Sequence, residues 1–76
     1  MPVAFVMINS KIDAMEIVLK ALSKVEGVKE AYSLYGVYDI IAKVEADSMD
    51  KIRDLVSYKI RKLDGVNSTL TTIVIE

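Results

Sequence analysis

Two short segments of this chain echo each other: Val25-Glu26-Gly27-Val28 and Leu63-Asp64-Gly65-Val66. Each stands where apolar residues at helical spacing give way to a strand-like run, and each carries the glycine that ends a helix in the left-handed conformation and releases the chain into an extended segment. A helix-to-strand handover made twice within 76 residues leaves few ways to fold. Each half needs a strand before its helix as well as after it, so the chain divides into two βαβ units.

The remaining elements follow in order. Val3–Asn9 is an unbroken apolar run, the mark of a strand buried on both faces. Ser10 is the expected cap of the first helix, with Asp13 three residues later in a capping-box-like pattern, and Ile12, Met15, Leu19 and Leu22 form its apolar stripe. Val28–Tyr35 and Val37–Glu45 are the next two strands, joined at Gly36. Asp47 or Ser48 caps the second helix, whose apolar stripe is Met49, Ile52, Val56, Ile60 and Leu63. The opposite face of that helix, including Asp50, Arg53, Asp54 and Arg61, reads as a solvated surface. Val66–Ile75 closes the chain as the last strand. The expected fold is therefore α+β: a ferredoxin-like βαββαβ sandwich, a four-stranded antiparallel sheet with two helices on one face, forming a single domain over residues 1–76.

Right-handed crossovers put both helices on the same side of the sheet and leave the other side bare. A solvated face would alternate apolar with polar residues. Here the first strand offers Val3, Phe5 and Met7 on one side and Ala4, Val6 and Ile8 on the other, and 53% of the chain is hydrophobic. Either choice of inward face exposes an apolar patch, which single-copy proteins rarely carry. The bare face is expected to pack on its own copy in a two-fold dimer.

Composition narrows the chemistry. There is no cysteine and no histidine, so disulfides, the thiol nucleophile, the commonest general base and the usual zinc, copper and haem ligands are all missing. No metal site and no cofactor is expected. Ten basic and eleven acidic residues are spread along the chain to a net charge of -1, without the clustered basic face that nucleic-acid binding requires. Met1–Asn9 is too short to span a bilayer and lacks the flanks of a secretion signal, so a soluble cytoplasmic protein is the expectation.

The stretch most suggestive of function is Tyr32–Val44. Gly36 is the residue there that takes a positive φ without steric cost and leaves the backbone open to close approach. Asp39 puts a carboxylate among isoleucine and valine. It reads either as a bond to nearby turn amides or as a ligand group. Asp39, the tyrosines and scattered lysines offer no nucleophile paired with an oriented base, so catalysis is not expected.

These features together resemble a known family. The segments Gly27-Val28, Gly36-Val37-Tyr38-Asp39, Leu63-Asp64-Gly65-Val66 and the final Val66–Ile75 run, with Thr69 and Thr71, look like the effector-binding domain, or RAM domain, of the Lrp/AsnC (feast/famine) transcription regulators. The resemblance covers essentially the whole chain, which starts directly at the first strand and lacks the family's DNA-binding helix-turn-helix. It looks like the stand-alone form, for which direct DNA binding and membrane association are not expected. The resemblance implies sheet-to-sheet dimers in a dimeric α/β-barrel-like arrangement and rings such as tetramers of dimers. It also implies a small effector, typically an amino acid, bound between neighbouring dimers near the hairpin, and a role in transcription regulation by co-assembly with full-length regulators. The residues here suit that work. Asp39 is placed to take an ammonium, the backbone around Gly36 and Val37 and the hydroxyls of Thr69 and Thr71 to receive a carboxylate, and Tyr35 and Tyr38 to close over the ligand. Thr69 and Thr71 also read as β-branched strand filling, and the tyrosines as interface packing. The alternatives are a small dimeric ferredoxin-like enzyme of monooxygenase or isomerase type and a purely structural oligomerisation module.

Overall fold

Ala4, Val6 and Ile8 decide how the sheet sits, because all three are fully buried and alternate with the half-exposed Val3, Phe5 and Met7. The computed structural model describes residues 1–75. Its elements are β1 (Val3–Ser10), α1 (Met15–Ser23), β2 (Val28–Ser33), β3 (Ile40–Glu45), α2 (Met49–Asp54), which continues into a π-helical stretch over Leu55–Ile60, and β4 (Val66–Val74). The strands form one four-stranded sheet in the order β2-β3-β1-β4, every pair antiparallel. Each crossover passes over one intervening strand, and both helices lie on the Ala4, Val6, Ile8 side, the ferredoxin-like arrangement.

The core is the layer between sheet and helices. Ile40, Ala42 and Val44 of β3 extend the buried face of β1, and Val18 and Leu22 of α1 close it from above, joined by Ile52, Val56 and Ile60. Among the described residues no polar or charged side chain is buried in this layer.

The two handover glycines behave as the sequence indicates: Gly27 and Gly65 have φ of +100° and +97°. Two local expectations are corrected. Ser10 does not cap α1; it ends β1, where its N–H and hydroxyl donate to Asp39 Oδ2 at 3.0 and 3.3 Å. The helix instead starts at Met15, after Asp13 takes a left-handed φ of 64°, without a side-chain cap. A partner 29 residues away outbids the local amides for the serine. The β2–β3 connection is also wider than a tight turn at Gly36. It spans Leu34–Asp39, closed by the Leu34 N–H donating to the Asp39 carbonyl at 2.6 Å, and Gly36 does not use a positive φ. At the second helix, by contrast, Ser48 is the cap, its hydroxyl accepting from the Lys51 N–H at 3.2 Å.

The outer face of the sheet is a set of rows fixed by register. Leu70, Met7, Ile41 and Tyr32 stand side by side across all four strands. The next row is Thr72, Phe5, Lys43 and Glu30. The first row and Phe5 make an apolar band across an uncovered surface, with Leu70 47% and Tyr32 57% exposed. Charge enters this face beside Phe5, where Lys43 on the central strand β3 lies 3.7 Å from Glu30 of the edge strand β2, and the Tyr32 hydroxyl donates to Glu30 at 2.6 Å.

The π-helical stretch adjusts the second helix to two surfaces at once. Over eight residues an α-helix rotates about 80° out of register with a fourfold spacing. Yet Ile52, Val56 and Ile60, spaced by four, are all buried. The wider turn, with the Arg61 N–H donating to the Val56 carbonyl at 2.8 Å, removes that drift.

Candidate functional site

Two surfaces hold the residues singled out from the sequence, one on each flank of β1. The first is the Leu34–Asp39 loop. Tyr35 and Val37 are exposed at 108% and 86%, Gly36 has open space where a Cβ would stand, and Tyr38 and Asp39 are half-buried. Asp39 anchors the loop to the end of β1: its N–H donates to the Ile8 carbonyl at 3.0 Å while Oδ2 accepts both bonds from Ser10. Its second carboxylate oxygen accepts no hydrogen bond from the described residues.

The second surface is a groove of about 650 Å³ between β4 and the α2/π wall. Strand β4 is the sheet edge, and register places Thr69 opposite Ile8 and Thr71 opposite Val6, on the helix side. Both threonines line the groove, together with Ser57 and Ser68. Ile52, Val56, Val66 and Ile73 supply its apolar part. Arg53 and Arg61 complete the wall, and among the described residues no carboxylate lines it.

Thr69 and Thr71 thus come together in one recess, and Tyr35, Gly36, Val37, Tyr38 and Asp39 in one loop. The chain does not bring the two sets into a common cavity. Asp39 and Thr69 flank β1 on opposite sides at the level of Ile8, two strand spacings or roughly 10 Å apart. Arg53, Ser57 and Arg61 were not singled out from the sequence, which put the arginines on a solvated face. The signal that marks them is their fourfold spacing, which runs beside the buried column Ile52, Val56, Ile60.

The margin of the open sheet face is electrostatically tuned. The bond from the Tyr32 hydroxyl holds the Glu30 carboxyl below its ordinary range, with Lys43 adding to the effect, and the same bond to Glu30 raises the Tyr32 phenol above its own. A lowered carboxyl stabilises the fold above its unfolded pKa and loses that contribution as pH falls through the folded value. A raised phenol contributes below its unfolded pKa and loses the contribution as pH rises through the folded one. Tyr32→Phe is therefore expected to lower the urea midpoint at neutral pH, with the difference from the parent vanishing at both the acid and the alkaline end. A difference that is constant across pH contradicts the link.

Among the described residues no group of three His, Cys, Asp or Glu side chains is placed to hold a metal ion, and no helix is long and apolar enough to cross a membrane. What the geometry provides is recognition chemistry: a tethered carboxylate, an exposed aromatic loop, and a groove with hydroxyls and guanidiniums.

The architecture defines a ferredoxin-like α+β domain with an uncovered sheet face and a recess at its β4 edge. The model of the Lrp/AsnC ligand binding domain matches residues 3–76, and the chain belongs to that family. The crystal structure of FFRP-DM1 superposes with a TM-score of 0.95 at 36% identity, covering 99% of this chain and 100% of that one. Escherichia coli AsnC superposes with a TM-score of 0.92 at 32% identity, covering 99% of this chain and 51% of the regulator. Homocitrate synthase of Sulfurisphaera tokodaii is 41% identical over 59 residues, which is 78% of this chain and 13% of the enzyme. The chain thus spans only a small part of the curated relatives it matches.

Proposed function

We propose that this domain is a non-catalytic sensor that binds a small effector, an amino acid in the first instance, and works by self-assembly. The observation that carries the reading is the full-length match to a ligand-binding domain family. A match of nearly the whole chain within AsnC and a match to a short part of a homocitrate synthase support it from another direction. What two such different proteins share with this chain is this one domain, so neither protein's overall activity transfers with it.

The placement of the two surfaces supports a site completed between copies. An α-ammonium and its carboxylate are only a few ångströms apart, so the Asp39 loop and the Thr69/Thr71 groove of one chain do not serve one amino acid together. The exposed loop of one protomer, with Tyr35 and Val37, inserted at the groove of a neighbour does so: Asp39 takes the ammonium through its free oxygen, the loop backbone at Gly36 and Val37 and the threonines take the carboxylate, and Tyr38 borders the ligand. Dimers form through the open sheet faces, and the loops join dimers into a ring, a tetramer of dimers. The effector acts by its difference in affinity between assembly states, including mixed assemblies with full-length Lrp/AsnC regulators in the cytoplasm.

A thermal-shift panel of the twenty amino acids tests this, since a ligand that binds only the folded assembly raises its melting point. One or a few amino acids are expected to stabilise the protein, and Asp39→Asn, which keeps the acceptor for Ser10 but removes the charge, is expected to abolish the shift. No stabilisation by any amino acid refutes the reading.

A further inference from the structure

Lys43 is out of place on the open face of the sheet. It stands on a central strand, between Phe5 and Glu30, where an aliphatic side chain would complete the apolar band. Read from the β2 edge to the β4 edge, its row is Glu30, Lys43, Phe5, Thr72. We propose that this row orients the dimer: the two-fold axis runs along the strands, between β3 and β1, so that each Lys43 lies on the partner's Phe5 and each Glu30 receives the hydroxyl of the partner's Thr72. The inference rests on the reading that copies meet through this face. It adds which way round they meet and which side chains decide it.

The first argument is complementarity. Aligned packing, in which two sheets keep their strand directions within about 30° of each other, gives the axis two courses, along the strands or across them. With the axis along the strands, each row meets its own reverse. Tyr32 then opposes the partner's Leu70 and Ile41 the partner's Met7, apolar on apolar. In the second row both charges meet a group that can receive them, an ammonium over an aromatic face and a carboxylate opposite a hydroxyl donor. With the axis across the strands, the two rows exchange. Lys43 is then set on the partner's Ile41, an ammonium against aliphatic carbon, and Thr72 on the partner's Leu70.

The second argument is that these groups are prepared for such a seam. The Lys43 ammonium lies 3.7 Å from Glu30, and Glu30 accepts the Tyr32 hydroxyl at 2.6 Å, so the two charges enter as a neutral set. That set does not exhaust the three donors of the ammonium. Phe5 is half-buried, and Thr72 is exposed with no side-chain hydrogen bond to the described residues. A single polar group in an otherwise apolar interface is a known way of fixing register, at some cost in affinity.

Thr72 and Glu30 supply the test, because they stand on the two outermost strands. Within one copy three strand spacings, roughly 14 Å, separate them, so coupling between them arises only between copies. Thr72→Glu sets a carboxylate opposite the partner's Glu30, and Glu30→Lys leaves two ammonium groups side by side. Each is expected to weaken self-association about tenfold or more in sedimentation equilibrium, and an equimolar mixture of the two to recover that loss, since unlike charges then oppose. A second measurement uses the absence of cysteine from the chain. A nitroxide on Thr72→Cys, mixed with isotope-labelled parent, is expected to broaden the Glu30 and Lys43 amides of the labelled copy more than those of Leu70 and Thr72. A dimeric parent whose variants associate undiminished, or whose weakened variants show no mutual rescue, overturns the orientation and leaves the dimer standing. So does broadening centred on β4 or spread evenly over the face. A parent that sediments as a monomer removes the face-to-face reading, and the orientation with it.

Discussion

Met7→Glu yields a folded monomer. Met7 sits on the central strand pair of the uncovered sheet face, between Leu70 and Ile41 in the row that reaches Tyr32. In a single copy this position faces solvent, so a carboxylate there costs the fold little. In a face-to-face dimer each copy buries an unpaired charge in an apolar seam, at several kcal/mol apiece. That weakens association by roughly three orders of magnitude or more. Sedimentation equilibrium at micromolar concentration is expected to show a dimer or larger assembly for the parent and a monomer for the variant, with matching circular dichroism. A variant that sediments with the parent shows that copies do not meet through this face. Lys43, on the central strand β3 beside Phe5, does not enter the seam as an unpaired charge, because it lies 3.7 Å from Glu30 of the edge strand.

Gly65→Ala removes about half of the stability of the domain, whereas Gly36→Ala is nearly neutral. At Gly65 the φ of +97° already disfavours any side chain, and a Cβ there would stand 3.0 Å from both Ala14 Cβ and Val18 Cγ2. Val18 is locked in the core and has no room to retreat. Backbone strain and overpacking together amount to roughly 2–6 kcal/mol. A domain of this size has a total of about 4–11 kcal/mol. At Gly36 nothing lies within 4 Å of the added Cβ, so the change is expected to stay within about 0.5 kcal/mol. Urea denaturation of the two variants checks the contrast, and equal midpoints contradict it. If Gly36→Ala leaves stability intact but weakens effector binding, its contribution lies in close approach of a ligand or a neighbouring chain to the loop backbone.

The fold was legible because its signals are local and repeated. Gly27 and Gly65 punctuate the chain wherever a helix ends, and the unbroken apolar run of β1 announces a strand with two faces to cover. The local signals misled where a distant partner intervened. Ser10 has the chemistry of a helix cap, but Asp39, far along the chain, holds it at the end of β1. Gly36 has the chemistry of a tight turn, but the loop is wide enough not to need one. The inward face of β1 was undecidable from a run in which both sets are apolar; the smaller Ala4, Val6 and Ile8 meet the helices, and the bulkier Phe5 and Met7 face outward. Asp39 and the threonines stand out in the sequence as candidate ligand groups, yet their separation across β1 depends on strand order, which no spacing in the sequence states. Arg53 and Arg61 lie on the exposed helix face that the sequence indicates, and only the strand order shows that the same face borders the β4 groove.

The widened turn after Asp54 has a consequence for how this molecule can change. A helix of ordinary pitch would fall out of phase with either the interior or the recess, whereas this one stays in phase with both. Cohesion of the domain and the contour of its recess are therefore written by the same few peptide units. Substitutions there do not alter one without disturbing the other, and the shape of the recess is changed more independently from its β4 side.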